Sequence, residues 1–147
     1  MHVAAVTGMS GSGKTTLVEA LIRLYSGRGA RVAAIKHTHH PLNIENRGDT
    51  ARFLAAGATP VLLARDDEAV IWSAANLPPL PVRLTHGGGV AGTLRFDELL
   101  DHARPADVVL MEGFKEYGGW PRIELLRDVW QGAHEAAAML DRIWHSS

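Results

Sequence analysis

The chain has 147 residues, 46% of them hydrophobic, and a formal net charge of −1, which indicates a globular domain rather than a disordered segment. Near-neutral charge argues against nonspecific binding to nucleic acid, which requires a basic face. Cysteine is absent, which excludes disulfides and thiolate metal sites. The length predicts one domain over 1–147. No apolar run approaches the ~18 residues of a membrane-spanning helix, so we expect a protein that is not bound to a membrane and that is located in the cytoplasm.

The first predicted elements lie within Val3–Thr16, which reads VAAVTGMSGSGKTT. The opening apolar run is typical of a strand that is buried on both faces. The residues from Gly8 to Thr15 then match G-x-x-x-x-G-K-[ST] at every fixed position. Leucines recur at helical spacing after the match, so the loop stands between a strand and a helix. This arrangement predicts a phosphate-binding loop, or P-loop.

The residue types of this loop have a physical reason. Its glycines let successive N–H groups point into one concavity, and the following helix adds its own N–H groups and its dipole. Lys14 would reach the β- and γ-phosphates, and the Thr15 hydroxyl would complete the shell of a Mg²⁺ ion. We therefore predict a nucleoside triphosphate site made by these residues: Gly8, Met9, Ser10, Gly11, Ser12, Gly13, Lys14, Thr15 and Thr16.

A second strand is predicted over Arg31–Lys36, so that strand, helix and strand form a βαβ unit with parallel strands. The residues His37, His39 and His40 follow it. Three interpretations of these histidines are open. They could bind a transition metal, they could be solvated loop side chains, or they could contact an anionic or heteroaromatic second ligand.

Asp49 precedes a helix predicted over Thr50–Ala56. Its carboxylate would either cap the helix N-terminus or bind Mg²⁺ directly or through water, and both interpretations are open.

Lysine is rare in this chain, and the three lysines that occur follow predicted strands, where α/β sheets place their ligands. A compact ammonium group suits a phosphate, so Lys36 and Lys115 are candidate ligand contacts beside Lys14.

The remaining elements alternate between strands and helices. Further strands are predicted over Thr59–Ala64, Ala69–Trp72, Pro81–Leu84 (at a sheet edge) and Pro121–Arg127, and helices over Leu94–Ala103 and His134–Trp144. His86–Gly89 has the glycines of an esterase oxyanion hole but no matching nucleophile elbow, so we interpret it as a loop.

The run Val108–Met111 predicts a buried strand that ends in a carboxylate, Glu112. This is the Walker B arrangement, and with a P-loop upstream it predicts that Glu112 holds Mg²⁺ or its water beside the phosphates. The candidate metal ligands are thus Thr15, Glu112 and Asp49. The order of elements predicts an α/β fold of the P-loop NTPase type, with three layers and a mostly parallel, twisted sheet that carries helices on both faces.

Three stretches together resemble the MobB family of molybdopterin-guanine dinucleotide biosynthesis adaptor proteins. They are GMSGSGKTT, KHTHH followed by GDT and AAGA, and LMEGFKE followed by WPRIE. The resemblance runs in the same order from Val3 to about Arg127. It implies a P-loop protein that binds GTP, hydrolyses it slowly at most, and forms a homodimer. Such a protein assists the guanylyltransferase that joins GMP to molybdopterin.

Carried over by position, the resemblance implies that Gly8–Thr16 holds the triphosphate and that Thr15 and Glu112 hold Mg²⁺. A further set of residues would face the nucleotide or the pterin phosphate: Lys36, His37, His39, His40, Lys115 and Arg122. The chain departs from the family at Gly48-Asp49-Thr50, where the family usually has Gly-Lys-Asp-Ser. It also has Pro41 and Asn43 where acidic residues are usual.

Two other functions remain open from the sequence, a small P-loop kinase or ligase and a metallochaperone GTPase. Kinases of this size usually have an Arg-rich lid, whereas Arg47 and Arg52 are the only close pair of arginines near the loop. A metallochaperone would need more thiols or histidines. No N/T-K-x-D pattern is present, so guanine is indicated by the resemblance alone. No glutamine or arginine is evidently placed to orient water, which predicts slow hydrolysis.

Overall fold

The computed structural model describes residues 1–42, 44, 48–65, 67–74, 77–84, 95–125 and 132–146. Seven strands and four helices are found within these residues. In chain order they are β1 His2–Gly8, α1 Lys14–Gly27, β2 Val32–His37, α2 Gly48–Ala56, β3 Val61–Arg65, β4 Glu68–Trp72, β5 Leu80–Arg83, α3 Phe96–Ala103, β6 Val108–Glu112, β7 Arg122–Leu125 and α4 Ala133–His145.

The strands form one sheet in the order β5-β4-β3-β2-β6-β1-β7. Strands β3, β2, β6, β1 and β7 pair in parallel, and β4 and β5 add an antiparallel meander at one edge. In the register, Glu112 lies opposite Val6 on one side and Lys36 on the other. The carboxyl ends of β1, β2 and β6 therefore meet at one edge of the sheet, which is where α/β proteins bind ligands.

Both faces of the sheet are covered. Alternate residues of a strand point to opposite faces, and Leu110 of β6 belongs to one apolar cluster whereas Val109 and Met111 belong to the other. The first cluster contains residues of α1, α2 and α4, including Leu17, and the second contains Leu99 of α3. The predicted three-layer, mostly parallel α/β architecture is confirmed.

The predicted elements correspond to observed ones, and their bounds agree within two residues wherever the chain is described. Leu80–Arg83 is the edge strand that the prolines predicted. One difference matters for the site, because α2 begins at Gly48 and so places Asp49 within its first turn. The predicted loop at His86–Gly89 lies outside the described residues, as do Asn43 and Arg47. None of the helices within the described residues has the length and hydrophobicity that a membrane span requires.

An ion pair between Arg31 and Asp107 connects the two chain segments that precede β2 and β6. The Asp107 carboxylate accepts hydrogen bonds from the Arg31 backbone N–H at 2.8 Å and from its guanidinium at 2.9 Å. The guanidinium and backbone hydrogen bonds from Arg31 lower the pKa of Asp107 from 3.8 to about 2. The ionised carboxylate is therefore favoured by the folded state.

This pKa predicts a pH-dependent contribution to stability. Because the folded pKa is below the unfolded one, the contribution is complete above pH ~4 and is lost as the pH falls toward 2. We expect Asp107→Asn to lower the thermal midpoint modestly at pH 7, since the pair is exposed. The difference from wild type should shrink when unfolding is measured toward pH 3. A difference that stayed constant over this range would contradict the assignment.

Candidate functional site

The turn between β1 and α1 has the conformation that its glycine spacing predicts. Gly11 and Gly13 adopt left-handed φ values of 79° and 93°, which side chains disfavour. A Cβ atom on Gly8 would lie 2.8 Å from the backbone oxygen of Leu125, so a side chain there would displace β7. Gly13 is the N-cap of α1 and no side chain caps that terminus. The first N–H groups of α1 can therefore donate to a ligand.

Lys14 is held against this turn. Its Nζ donates to the carbonyl oxygens of Gly8 at 3.0 Å and Met9 at 3.1 Å. The ammonium group thus lies beside the loop backbone, where its charge adds to the positive end of the α1 dipole. The turn, the helix terminus and the lysine together form a site that favours anions.

Three oxygen-bearing side chains meet next to the turn. The Thr15 hydroxyl lies 3.1 Å from Glu112 Oε1 and 3.3 Å from Asp49 Oδ2. Thr15 is in the first turn of α1, Asp49 is in the first turn of α2, and Glu112 ends β6. These are the three residues predicted as metal ligands, and the fold brings them together from three separate elements.

These oxygens suit a hard cation. Glu112 is only 5% exposed, and its Oε2 has no hydrogen-bond partner in the part of the chain that the structure describes. A buried carboxylate oxygen without a partner is costly, and a cation would satisfy it. Mg²⁺ prefers carboxylate and hydroxyl oxygens and uses one or two carboxylates from a protein. The donor set of Thr15, Asp49 and Glu112 therefore fits Mg²⁺.

The capping interpretation of Asp49 is wrong. The residue lies inside the first turn of α2, after Gly48, and does not precede the helix. Its carboxylate contacts the Thr15 hydroxyl and the Lys36 ammonium instead. Asp49 therefore belongs to the same cluster as Glu112.

Lys36 also belongs to this cluster. Its Nζ forms an ion pair with Asp49 Oδ2 and lies 3.7 Å from Glu112 Oε1. The sequence predicted Lys36 as a contact to phosphate, and its pairing with two carboxylates was not foreseen. The neighbouring His37 has a different environment, because successive residues of a strand point to opposite faces of the sheet.

Two of the three histidines contact each other, and the third lies in another cleft. The His37 ring stacks on the Phe114 ring, with the centroids 4.7 Å apart and the planes at 19°. The His39 ring contacts the His37 ring edge-on, with the centroids 4.7 Å apart. His40 lines a different cleft of about 380 Å³ together with Thr38. Among the described residues, no three His, Cys, Asp or Glu side chains are grouped to hold a metal ion. The transition-metal interpretation of the histidines therefore finds no support.

Lys115 and Arg122 lie on the other side of the turn. Lys115 lines a cleft of about 200 Å³ with His37 and His39, and both Lys115 and Arg122 line a cleft of about 490 Å³ next to Gly8. The Arg122 guanidinium donates to the Tyr117 carbonyl oxygen. The six residues predicted for a second ligand line several clefts around the turn. These clefts adjoin, since Lys115 lines two of them and Lys36 lines two others.

An aromatic cluster beside the site was missed. Phe114 is 2% exposed and has a φ of 60°, an uncommon backbone conformation for a residue other than glycine. It packs on Phe96 at 5.2 Å, and Phe96 packs on Trp120 at 4.5 Å and Tyr117 at 4.8 Å. The three aromatic residues that follow Glu112 within eight positions are the signal that could have indicated this cluster.

Known proteins resemble this chain over most of its length. A family model described as MobB, molybdopterin guanine dinucleotide synthesis protein B, matches residues 3–143. A molybdopterin-guanine dinucleotide biosynthesis adapter protein of Haemophilus influenzae is 40% identical over 112 residues, which are 76% of this chain and 56% of that protein. The corresponding protein of Escherichia coli is 32% identical over 125 residues, which are 84% of this chain and 65% of that protein.

The chain thus spans less than two thirds of the length of these two relatives. A crystal structure of a MobB homologue from Bacillus stearothermophilus superposes with a TM-score of 0.49 and 26% identity, and it covers 96% of this chain and 71% of the other. Because the family model matches from residue 3 to residue 143, this chain belongs to the MobB family.

Proposed function

We propose that this chain binds GTP and Mg²⁺ at the turn Gly8–Thr16 and acts as an adaptor in the synthesis of molybdopterin guanine dinucleotide. One observation carries the proposal. The Thr15 hydroxyl, one residue after the P-loop lysine, lies within 3.3 Å of both Asp49 and Glu112. A phosphate-binding turn and a hard-cation site are therefore adjacent, as a complex of a triphosphate with Mg²⁺ requires.

Each part of the site has a role in this proposal. The N–H groups of the turn and of the α1 terminus would donate to the phosphate oxygens, and Lys14 would neutralise the β- and γ-phosphates. Thr15, Asp49 and Glu112 would hold Mg²⁺, which shields the negative charge of the triphosphate when bound. Burial of Glu112 would keep its carboxylate oriented toward the ion.

The surroundings of the site favour an adaptor over a kinase. The Arg52 guanidinium lies 3.5 Å from the Thr16 hydroxyl, but it donates to the Glu19 carboxylate at 2.7 Å, so its charge is already paired. An arginine that stabilises a transferred phosphoryl group has to reach the γ-phosphate. The relatives are named adapter proteins, in agreement with this role. Slow hydrolysis, which the sequence predicts, stays a prediction.

A second ligand would bind beside the turn. The cleft of about 200 Å³ beside the turn contains aromatic rings and an ammonium group. Its lining includes His37, His39, Phe114, Lys115 and Tyr117. Rings can stack on a heteroaromatic system, and a cation can pair with its phosphate. This chemistry suits molybdopterin.

The remaining parts of the proposal are predictions from the sequence and from its resemblance to the family. We infer a homodimer, a guanylyltransferase as the partner enzyme, a cytoplasmic location, and a single nucleotide-binding domain over 1–147. The names of the relatives support the pathway. The dimer, the partner and the location stay predictions.

Titration calorimetry tests the nucleotide and the pathway together. The protein would be titrated with GTP, with ATP and with a pterin phosphate, each with and without Mg²⁺. We expect Mg²⁺-dependent binding of GTP in preference to ATP, together with binding of the pterin phosphate. Preference for ATP with formation of a phosphorylated small product would favour a kinase. If neither nucleotide bound, the proposed function would be wrong.

A further inference from the structure

Lys36 contacts both carboxylates of the candidate cation site. We propose that its ammonium group is an internal cation that competes with Mg²⁺ for Asp49 and Glu112, so that the metal ion binds together with the triphosphate and not before it. This inference deepens the proposed function and rests on it.

The competition follows from shared atoms. Lys36 Nζ forms an ion pair with Asp49 Oδ2 and lies 3.7 Å from Glu112 Oε1. These two oxygens are the same atoms that the Thr15 hydroxyl contacts. A metal ion that bound Asp49 Oδ2 and Glu112 Oε1 would therefore compete with the ammonium group for the same two oxygens.

The sheet fixes Lys36 at this place. Lys36 is paired in register with Glu112 on the adjacent parallel strand, and paired residues of neighbouring strands direct their side chains to the same face. The lysine stem therefore starts on the Glu112 side of the sheet, below α1 and α2. Its approach to Glu112 is thus built into the register, and Asp49 is added by the first turn of α2.

Electrostatics gives this pairing a consequence. Asp49 and Glu112 carry two negative charges within contact of one hydroxyl, and like charges this close repel each other. The side chains of Lys36, Asp49 and Glu112 are 24%, 31% and 6% exposed, so solvent screens them only partly. With Lys36 present, the cluster has a net charge of −1. Without it, the cluster would have a net charge of −2 and would attract a divalent cation more strongly.

A bound triphosphate changes this balance. Lys36 also lines the cleft of about 430 Å³ that the turn residues Ser10, Gly13, Lys14 and Thr15 form. A lysine has a flexible four-carbon stem, so its ammonium group can turn from the carboxylates to a phosphate oxygen in this cleft. The phosphate oxygens would thus accept hydrogen bonds from the Lys36 ammonium group and supply further oxygen ligands to the metal ion. Loading of the metal ion and departure of Lys36 become one event.

The test measures binding of Mn²⁺, in place of Mg²⁺, to the nucleotide-free protein by electron paramagnetic resonance. We expect Lys36→Gln, which removes the charge and keeps a hydrogen-bond donor, to bind Mn²⁺ at least tenfold more tightly than wild type. Arg31→Gln removes a positive charge at the opposite end of β2 and should match wild type. The double variant Lys36→Gln/Glu112→Gln should lose the gain. If Lys36→Gln bound Mn²⁺ no more tightly than Arg31→Gln, the inference would be overturned.

Thermal unfolding gives a second measurement in case removal of Lys36 destabilises the fold. Mn²⁺ should raise the midpoint of Lys36→Gln more than that of wild type or of Lys36→Arg, which keeps the charge. An equal rise in all three would overturn the inference. Titration of wild type with GTP and Mg²⁺ separates the two proposals. If wild type bound GTP but Lys36→Gln bound Mn²⁺ no more tightly than wild type, the inference would be wrong and the proposed function would stand. If wild type did not bind GTP, the proposed function would be wrong whatever the Mn²⁺ affinities of the variants are.

Discussion

Replacement of Lys14 by alanine is expected to weaken GTP binding about a hundredfold or more and to leave the fold intact. Two charge-assisted hydrogen bonds to phosphate contribute about 1.5–3 kcal/mol each, and their loss would exceed the ~2.7 kcal/mol that a hundredfold change requires. In the protein itself the ammonium group contacts only main-chain carbonyl groups of the turn, Gly8 and Met9, among the described residues. The cost to stability should therefore be small.

Fluorescence titration with a labelled GTP analogue would measure this loss, and thermal unfolding would check the fold. Arg23→Ala is a matched control, because Arg23 is also on α1, carries the same charge and pairs with Glu19 on the surface. It should bind GTP as wild type does. If Lys14→Ala kept wild-type affinity, the triphosphate would not lie on this turn.

The P-loop was predictable because its chemistry is local. Glycines at fixed positions permit the left-handed turn, and Lys14 and Thr15 follow without a gap, so one short segment contains the whole of the proposed phosphate site. Glu112 was predictable for a related reason. Four apolar residues marked a buried strand, and the carboxyl end of a parallel strand lies at the ligand-binding edge wherever that strand stands in the sheet.

The role of Lys36 could not be predicted from its own segment. Its pairing depends on the position of β2 beside β6, on the register that puts Lys36 opposite Glu112, and on α2 beginning early enough to include Asp49. The residues before α2 are unlike the family pattern, and two interpretations of Asp49 were therefore open from the sequence. Contacts between segments so far apart in the chain are set by tertiary packing.

The aromatic cluster was missed for the same reason. Phe96 on α3 meets Phe114 and Trp120, which follow β6, and no local periodicity connects them. The contacts of His37 depend on the sheet in the same way. His37 adjoins Lys36 in the sequence, yet alternation along the strand directs His37 to Phe114 and Lys36 to the carboxylates. Whether these residues meet one ligand stays a prediction.

The second large effect is expected from Glu112→Gln, which replaces the buried carboxylate with an amide of the same shape. In wild type, Mg²⁺ should strengthen GTP binding about tenfold or more, because one charged ligand contact contributes at least ~1.4 kcal/mol. In Glu112→Gln this gain should disappear, so that affinities with Mg²⁺ and with EDTA become equal. Asp49→Asn should lose part of the gain, since Asp49 is the more exposed of the two carboxylates.

The measurement is a GTP titration of each variant in Mg²⁺ and in EDTA. Glu135→Gln serves as the control, since Glu135 lies in the first turn of α4, outside the site, and it should keep the full gain. The ratio of the two affinities separates a metal ligand from a residue that only supports the turn, because damage to the turn would weaken binding equally in both buffers. A Glu112→Gln protein that kept the wild-type ratio would show that the cation is held elsewhere. The two carboxylates that contact Thr15 would then have no part in binding the cation.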